Sequence, residues 1–124
     1  MPTFYKIDKE RRLVMSTYSG VLTIEDALGH QKKLLKDPDF DPSFSQLFDV
    51  TRVTDMRLTA EDVRTLAQRT VFSPDSRRAI LVSNDLQFGL SRMFGIFRET
   101  KGEKRIRVFR DLEEALEWVL AKDR

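Results

Sequence analysis

Two short polar segments contain the side chains best placed for chemistry, because each one follows a predicted strand. They are Asp49 to Arg52 and Ser83 to Asp85. In an open α/β sheet, ligands bind beyond the carboxyl ends of parallel strands, and a following helix N-terminus adds N–H donors for an anion. The alternative role is capping, in which Asn84 or Asp85 accepts a hydrogen bond from the first turn of a helix.

The helix predicted over residues 85–98 combines aromatic side chains with glycine. Gly89 and Gly95 each cost this helix about 1 kcal/mol relative to alanine. Either the glycines allow close packing of helix on sheet, or the helix is loosely held and lines an apolar pocket, where Arg92 offers its charge to a headgroup or carboxylate. The residues predicted to bind a ligand are Phe88, Arg92, Phe97, Ser83 and Asn84.

Residues typical of enzymes and metal sites do not form a recognisable set. Cysteine is absent, and the one histidine, His30, falls between the apolar and polar faces of a predicted helix, which indicates a surface or boundary position. Paired carboxylates such as Asp49 with Asp55 would serve acid–base chemistry only if burial separated their pKa values. A Gly-rich phosphate loop and a nucleophile elbow are both missing from the sequence. We therefore predict no enzymatic activity, no metal and no cofactor.

Composition indicates one ordinary globular domain over residues 1–124. Hydrophobic residues make up 40% and charged residues 34% of the 124-residue chain. The 22 Lys and Arg exceed the 20 Asp and Glu by a net charge of only +2, so no nucleic-acid partner is predicted. Without cysteine, a signal peptide or an apolar run of about 20 residues, we predict a cytoplasmic protein that is not an integral membrane protein.

Hydrophobic periodicity predicts nine elements in the order ββαβαβαβα. The five strands are predicted over residues 4–8, 13–18, 44–50, 79–82 and 106–109. Gly20 is predicted to break the pattern after the second strand. This order implies an α/β domain with a five-stranded mixed sheet, mostly parallel after the opening hairpin, and helices packed on the sheet.

The helix boundaries follow from capping signals. Thr23 with Asp26, and Thr59 with Asp62, have the spacing of capping boxes, and Asp111 can cap the last helix. Apolar residues at three-and-four spacing define the inner faces of the helices. For the third helix this face is predicted to contain Leu86, Leu90, Met93, Phe94 and Phe97.

The element order and three segments resemble a known family. Residues 46–55, which lead into a capped helix, resemble the SpoIIAA-like, STAS-type domains, the anti-sigma-factor antagonists and their relatives. Residues 83–94 and 108–118 are similar to an uncharacterised bacterial branch that is often grouped with CRAL-TRIO-type lipid-binding folds. The resemblance implies the SpoIIAA-like fold over nearly the whole chain.

The resemblance also implies a surface for a partner. In antagonist STAS domains, a phosphorylatable serine or threonine directly follows the Asp at the start of the second helix. Here Asp55 is followed by Met56 and Arg57, so the phosphorylation switch is not expected, while binding at the same surface is. The predicted partner-binding residues are Asp49, Arg52, Asp55, Met56 and Arg57.

Three functions remain open at this point. The first is a non-catalytic module that binds an apolar or amphipathic, lipid-like small molecule between the third helix and the sheet. The second is a STAS-type module, without the switch, that binds a regulatory protein or a second copy of itself as a homodimer. The third is an enzyme that acts on a small anionic substrate at the strand ends.

Overall fold

A computed structural model describes residues 3–122 and has the predicted order of elements. The strands are β1 (Thr3–Asp8), β2 (Leu13–Thr23), β3 (Ser45–Arg57), β4 (Arg78–Leu81) and β5 (Ile106–Phe109). The helices are α1 (Ile24–Lys36), α2 (Ala60–Ala67), α3 (Asp85–Glu99) and α4 (Leu112–Leu120). The α/β fold class predicted from the sequence is thus confirmed.

The five strands form one mixed sheet in the order β1-β2-β3-β4-β5. Strand β1 pairs antiparallel with β2, and every later pairing is parallel. The predicted break at Gly20 is wrong, because β2 continues to Thr23. Gly20 adopts a positive φ of 67° and lies at an irregularity in the register between β2 and β3, so it bends the strand instead of ending it.

Strand β3 is longer than predicted, since it ends at Arg57 and not at Val50. Its pairing with β4 stops at Asp49 opposite Leu81, but its pairing with β2 continues to Thr23 opposite Arg57. The two strands therefore extend beyond the rest of the sheet as a two-stranded ribbon. We call residues 19–23 of β2 and 52–57 of β3 the β2–β3 ribbon.

Hydrogen-bonding side chains fix where the helices begin. The predicted capping boxes of α1 and α2 are both present, with Thr23 and Thr59 as the N-cap residues. Asn84 caps α3, and Asp111 caps α4. None of the helices within residues 3–122 is long and apolar enough to cross a membrane.

The sheet separates two layers of the core. On one face, Leu47, Ala79 and Leu81 pack against Ala115 and Val119 of α4. On the other face, which we call the inner face, side chains of β2, β3 and β4 pack against α1, α2 and α3 in clusters that include Tyr18, Val50, Ile80, Ala27 and Leu66. The inner face is the side that contains the candidate site.

The face of α3 that packs on the sheet agrees only in part with the predicted one, because Leu90 and Phe94 lie on the inner side but Leu86 does not. Leu86 is 60% exposed, whereas Gln87, Ser91 and Arg98 are the buried residues of this helix. Apolar spacing alone missed these three positions because polar side chains occupy them. Gln87 donates to the carbonyl oxygen of Val53, and Arg98 donates to those of Ala67 and Arg69, which accounts for two of the three buried polar positions.

Candidate ligand-binding site

A cavity lies between the inner face of the sheet and the three helices α1, α2 and α3. Its volume is about 80 Å³. The sheet supplies one wall of the cavity, and α3 supplies Leu90, Ser91 and Phe94. Its apolar lining includes Leu22, Phe48, Val50, Met56, Leu58, Val63, Leu66 and Ile80.

The cavity has an apolar part and a polar part. Phe48, Val50 and Ile80 line it along β3 and β4, while polar lining comes from Gln46 and Arg78, each near the start of its strand. Gln46 and Arg78 are direct partners in the β3–β4 register. A bound molecule would therefore meet hydrocarbon along the strands and hydrogen-bonding groups at the strand starts.

A row of buried hydrogen bonds crosses the inner face beside the cavity. The ring Nε2 of His30 lies 2.9 Å from Ser16 Oγ, and the Gln46 amide donates to the same oxygen over 3.0 Å. Arg78 Nε donates to Gln46 Oε1 over 3.1 Å. These bonds link α1 to three neighbouring strands and hold Arg78 in place.

Arg78 and a second arginine share one carboxylate in the core. Arg78 Nη1 lies 3.0 Å and Arg98 Nε 2.8 Å from Glu103 Oε1, and no more than 7% of any of the three side chains is exposed. Arg98 also donates to the carbonyl oxygens of Ala67 and Arg69. Two guanidinium groups thus surround one carboxylate.

Arg78 also contacts two aromatic rings. Its Cζ atom lies 4.6 Å from the ring centroid of Phe72 and 5.3 Å from that of Phe94. Burial lowers the pKa of the Arg78 guanidinium, and the adjacent Glu103 carboxylate partly opposes this effect. The rings and the ion pair hold the guanidinium group at the cavity wall.

The prediction that His30 is a surface or boundary residue is wrong, because only 4% of its surface is exposed. The ring makes edge contacts with Tyr5 and Tyr18, at centroid distances of 5.5 and 5.3 Å. Burial, together with the positive charges of Arg78 and Lys33, lowers its pKa to about 4. His30 is therefore neutral near pH 7 and acts as a hydrogen-bonded core residue.

Gln31 adds an unused acceptor to the cavity lining. Its Nε2 donates to the carbonyl oxygen of Leu66 over 3.3 Å, but its buried Oε1 has no hydrogen-bond partner within residues 3–122. Leaving a buried acceptor unpaired costs about 1–3 kcal/mol. A donor group in the cavity would remove that cost.

Ser83 and Asn84, predicted to bind a ligand, instead organise the start of α3. Asn84 Oδ1 accepts from the Gln87 backbone N–H over 2.9 Å, and the Ser83 backbone N–H donates to Gln87 Oε1 over 2.8 Å. The Gln87 amide also donates to the carbonyl oxygen of Val53. The capping alternative is thus confirmed for Asn84, whereas Asp85 is the first helical residue, and neither Ser83 nor Asn84 lines the cavity.

None of the three ligand-binding candidates on α3 lines the cavity. Phe88 and Arg92 line a separate polar groove between α3 and β5, with a volume of about 370 Å³. Arg92 Cζ lies 6.0 Å from the Phe88 ring centroid. Phe97 lines neither space and lies 4.6 Å from Arg64 Cζ.

The predicted partner-binding residues all lie along β3, because the strand runs to Arg57. Asp49 accepts from the hydroxyl of Thr51 over 2.6 Å. Asp55 and Arg57 form an exposed ion pair of 2.8 Å, and Arg52 is also exposed. Met56 is partly buried and lines the cavity.

Sequence reasoning missed Arg78, Gln46 and Glu103. Arg78 precedes the apolar run of β4, so it was placed before the predicted strand at residues 79–82. A polar residue stands beside β-prone residues near the start of both β3 and β4. This pattern was the signal that could have indicated Gln46 and Arg78. Within residues 3–122, no group of His, Asp and Glu side chains is arranged to hold a metal ion.

Comparisons with known proteins establish the fold. No protein-family model matches the sequence, and no curated protein matches it. The chain is similar to the crystal structure of an uncharacterized protein from the DUF3478 family with a SpoIIAA-like fold, from Shewanella loihica PV-4. The two chains are 23% identical, with a TM-score of 0.61, over 94% of this chain and 93% of that one. The predicted SpoIIAA-like fold is therefore confirmed.

Proposed function

We propose that this protein is a non-catalytic module that binds a small amphipathic molecule in the cavity between the inner face and helices α1 to α3. The observation that supports the proposal is the cavity itself. Protein interiors are close-packed and contain few voids larger than a water molecule, so a space of about 80 Å³ within the core is notable. Ligand sites are typically apolar, with a few fixed polar groups.

The arrangement of the lining favours an amphipathic occupant over a purely apolar one. A hydrocarbon group would contact Phe48, Val50 and Ile80, while a polar group would reach Arg78. Leu58 and Leu90 line the cavity and are partly exposed, so the open side lies between α2 and α3. A ligand would then enter with its polar end towards the strand starts.

A catalytic role fits the site poorly. Ser16 and His30 lie 2.9 Å apart, as a nucleophile and its base would, but Ser16 is 1% exposed and does not line the cavity. A histidine with a pKa of about 4 is also a weak base near pH 7. Ligand binding without turnover accounts for the lining residues more simply.

Native mass spectrometry tests this proposal. We expect the purified protein, incubated with short amphipathic compounds, to show added mass that denaturing spectra lack. Leu90→Trp should reduce this uptake, because the larger ring extends into the cavity from its partly exposed side. Leu112→Trp on α4, where Leu112 is 48% exposed, is the matched control. Equal uptake by the two variants would contradict the site.

The β2–β3 ribbon favours a second candidate function, binding of a regulatory protein or of a second copy of the chain. It extends beyond the pairing with β4 and presents the exposed Asp55–Arg57 pair, and Val21 in the ribbon is 41% exposed. The same native spectra report on self-association. A dimer mass that Arg57→Glu abolishes would support this candidate, whereas a monomer at high concentration would count against the homodimer.

A further inference from the structure

We propose that the cavity selects a small monoanion, namely a short-chain carboxylate whose charged group pairs with Arg78. This inference rests on the proposed function, since it names the class of molecule that the same cavity binds.

The buried charges do not balance. Arg78, Arg98 and Glu103 are each at most 5% exposed, and Glu103 is the one carboxylate paired with either arginine within residues 3–122. His30 is neutral near pH 7 and adds no charge. An uncompensated buried charge is costly, so one further negative charge would stabilise this cluster.

Arg78 is the arginine that can accept that charge. Arg98 is held by Glu103 and two backbone carbonyl oxygens, and it does not line the cavity. Arg78 lines the cavity, and its hydrogen bonds to Gln46 and Glu103 use Nε and Nη1. Its Nη2 donates no hydrogen bond to a described residue, which leaves a charged donor for a carboxylate oxygen.

The size of the cavity and its single excess charge restrict the anion. A dianion such as a phosphate monoester would replace one unbalanced positive charge with an unbalanced negative one, whereas a carboxylate gives neutrality. An apolar cavity of 150 Å³ admits benzene. At about 80 Å³ this cavity is roughly half that size, so it encloses a carboxylate group with about one or two further carbon atoms, and the rest of a short chain extends towards the open side between α2 and α3.

Pairs of ligands with the same shape but different charge test whether charge determines the affinity for the cavity. Calorimetric titration of the wild-type protein with butanoate, pentanoate and hexanoate, and with the three matching primary amides, compares molecules of the same size. We expect each carboxylate to bind roughly tenfold or more tightly than its amide, because an ionised acceptor strengthens the hydrogen bond to Arg78. Amides that bind as tightly as carboxylates would overturn the charge inference and leave the proposed function intact. If neither series binds, both proposals fail.

Three variants test which arginine pairs with the bound carboxylate. Arg78→Met should remove the preference for carboxylates, and Arg78→Lys should retain part of it. Arg92→Met is the matched control, because Arg92 lines the separate groove and not the cavity, and it should preserve the full preference. If Arg92→Met removes the preference while Arg78→Met keeps it, the anion binds in the groove and the assignment to Arg78 is wrong. If Arg78→Met fails to fold, the comparison of carboxylates with amides on the wild type still decides the inference.

Discussion

Because two arginines share the single carboxylate of Glu103, single substitutions in this cluster should lower the free energy of unfolding by different amounts. Removing Glu103 leaves two buried guanidinium groups with no carboxylate, whereas removing Arg78 leaves the one-to-one pair of Arg98 with Glu103. Breaking a buried ion pair by deleting one partner is generally severe because the remaining charge is uncompensated. The direction of the imbalance therefore predicts which deletion is worse.

We expect Glu103→Gln to lower the free energy of unfolding by about 3–5 kcal/mol. We expect Arg78→Met to lower it by only about 1–2 kcal/mol, because the remaining charges balance and Glu103 keeps its hydrogen bond from Arg98, so the loss is that of the hydrogen bonds from Arg78 to Gln46 and Glu103. Urea unfolding at pH 7 measures both values. The interpretation is wrong if Arg78→Met is the more damaging change.

His30 gives the protein a pH dependence of its own. Its folded-state pKa of about 4 lies below the ordinary value of 6.5, so the unfolded chain binds the extra proton more readily. Stability should be constant above about pH 6.5 and fall by about 3 kcal/mol as the pH drops towards 4. Unfolding measured by urea titration between pH 7 and pH 4.5 should show this loss.

A histidine-free variant separates this effect from that of the carboxylates. Asp8, Asp37 and Asp41 have pKa values below 3.8, so their contributions are lost below the window in which His30 titrates. His30→Phe, which retains the aromatic contacts with Tyr5 and Tyr18, should have a flat profile between pH 7 and pH 4.5. An unchanged slope in this variant would assign the loss to other groups.

At the scale of elements, the glycines show what periodicity can and cannot predict. A Cβ atom on Gly95 would lie 3.6 Å from Ile106 Cγ2, which is an ordinary van der Waals contact, so Gly95 packs against β5 but the space there does not require glycine. Gly89 has open space around its Cα. Gly20 has open space too, but its φ of 67° is one that other residues rarely adopt.

Substitution by alanine should therefore have opposite effects at two of these positions. Gly89→Ala should raise the free energy of unfolding by about 0.5–1 kcal/mol, because alanine favours the helix and meets no neighbouring atom. Gly20→Ala should lower it by about 1–2 kcal/mol, because the left-handed backbone is strained with a Cβ. Thermal unfolding of the two variants beside the wild type measures both changes, and the same sign for both would contradict the account.

Element boundaries set by side-chain chemistry were predictable from the sequence, while those set by strand pairing were not. Thr23, Thr59 and Asp111 end or begin elements through local hydrogen bonds that their spacing already indicates. The end of β3 depends instead on β2, which is distant in sequence and continues to pair beyond Val50. For this reason Arg52, Asp55, Met56 and Arg57, which lie after the predicted end of the strand at Val50, belong to β3.

For the molecule as a whole, the order of elements was predictable and the candidate site was not. Alternating apolar segments specify the α/β fold, whose SpoIIAA-like form the comparison with the Shewanella loihica PV-4 protein confirms. The site depends on polar residues from separate elements, such as His30, Gln46 and Glu103, which meet only in the folded chain. The residue pattern of one helix or strand does not indicate which side chains of other elements it will contact.

The sheet order β1-β2-β3-β4-β5 follows the order of the strands in the chain. Every strand therefore pairs with its sequence neighbours, and no pairing waits for a strand from the far end of the polypeptide. Because closing a short loop costs less entropy than closing a long one, the sheet can grow one strand at a time. The consequence is kinetic: the chain should reach its native state quickly for a protein with a parallel sheet, and its amino-terminal strands can pair before the carboxyl-terminal helix has been synthesised.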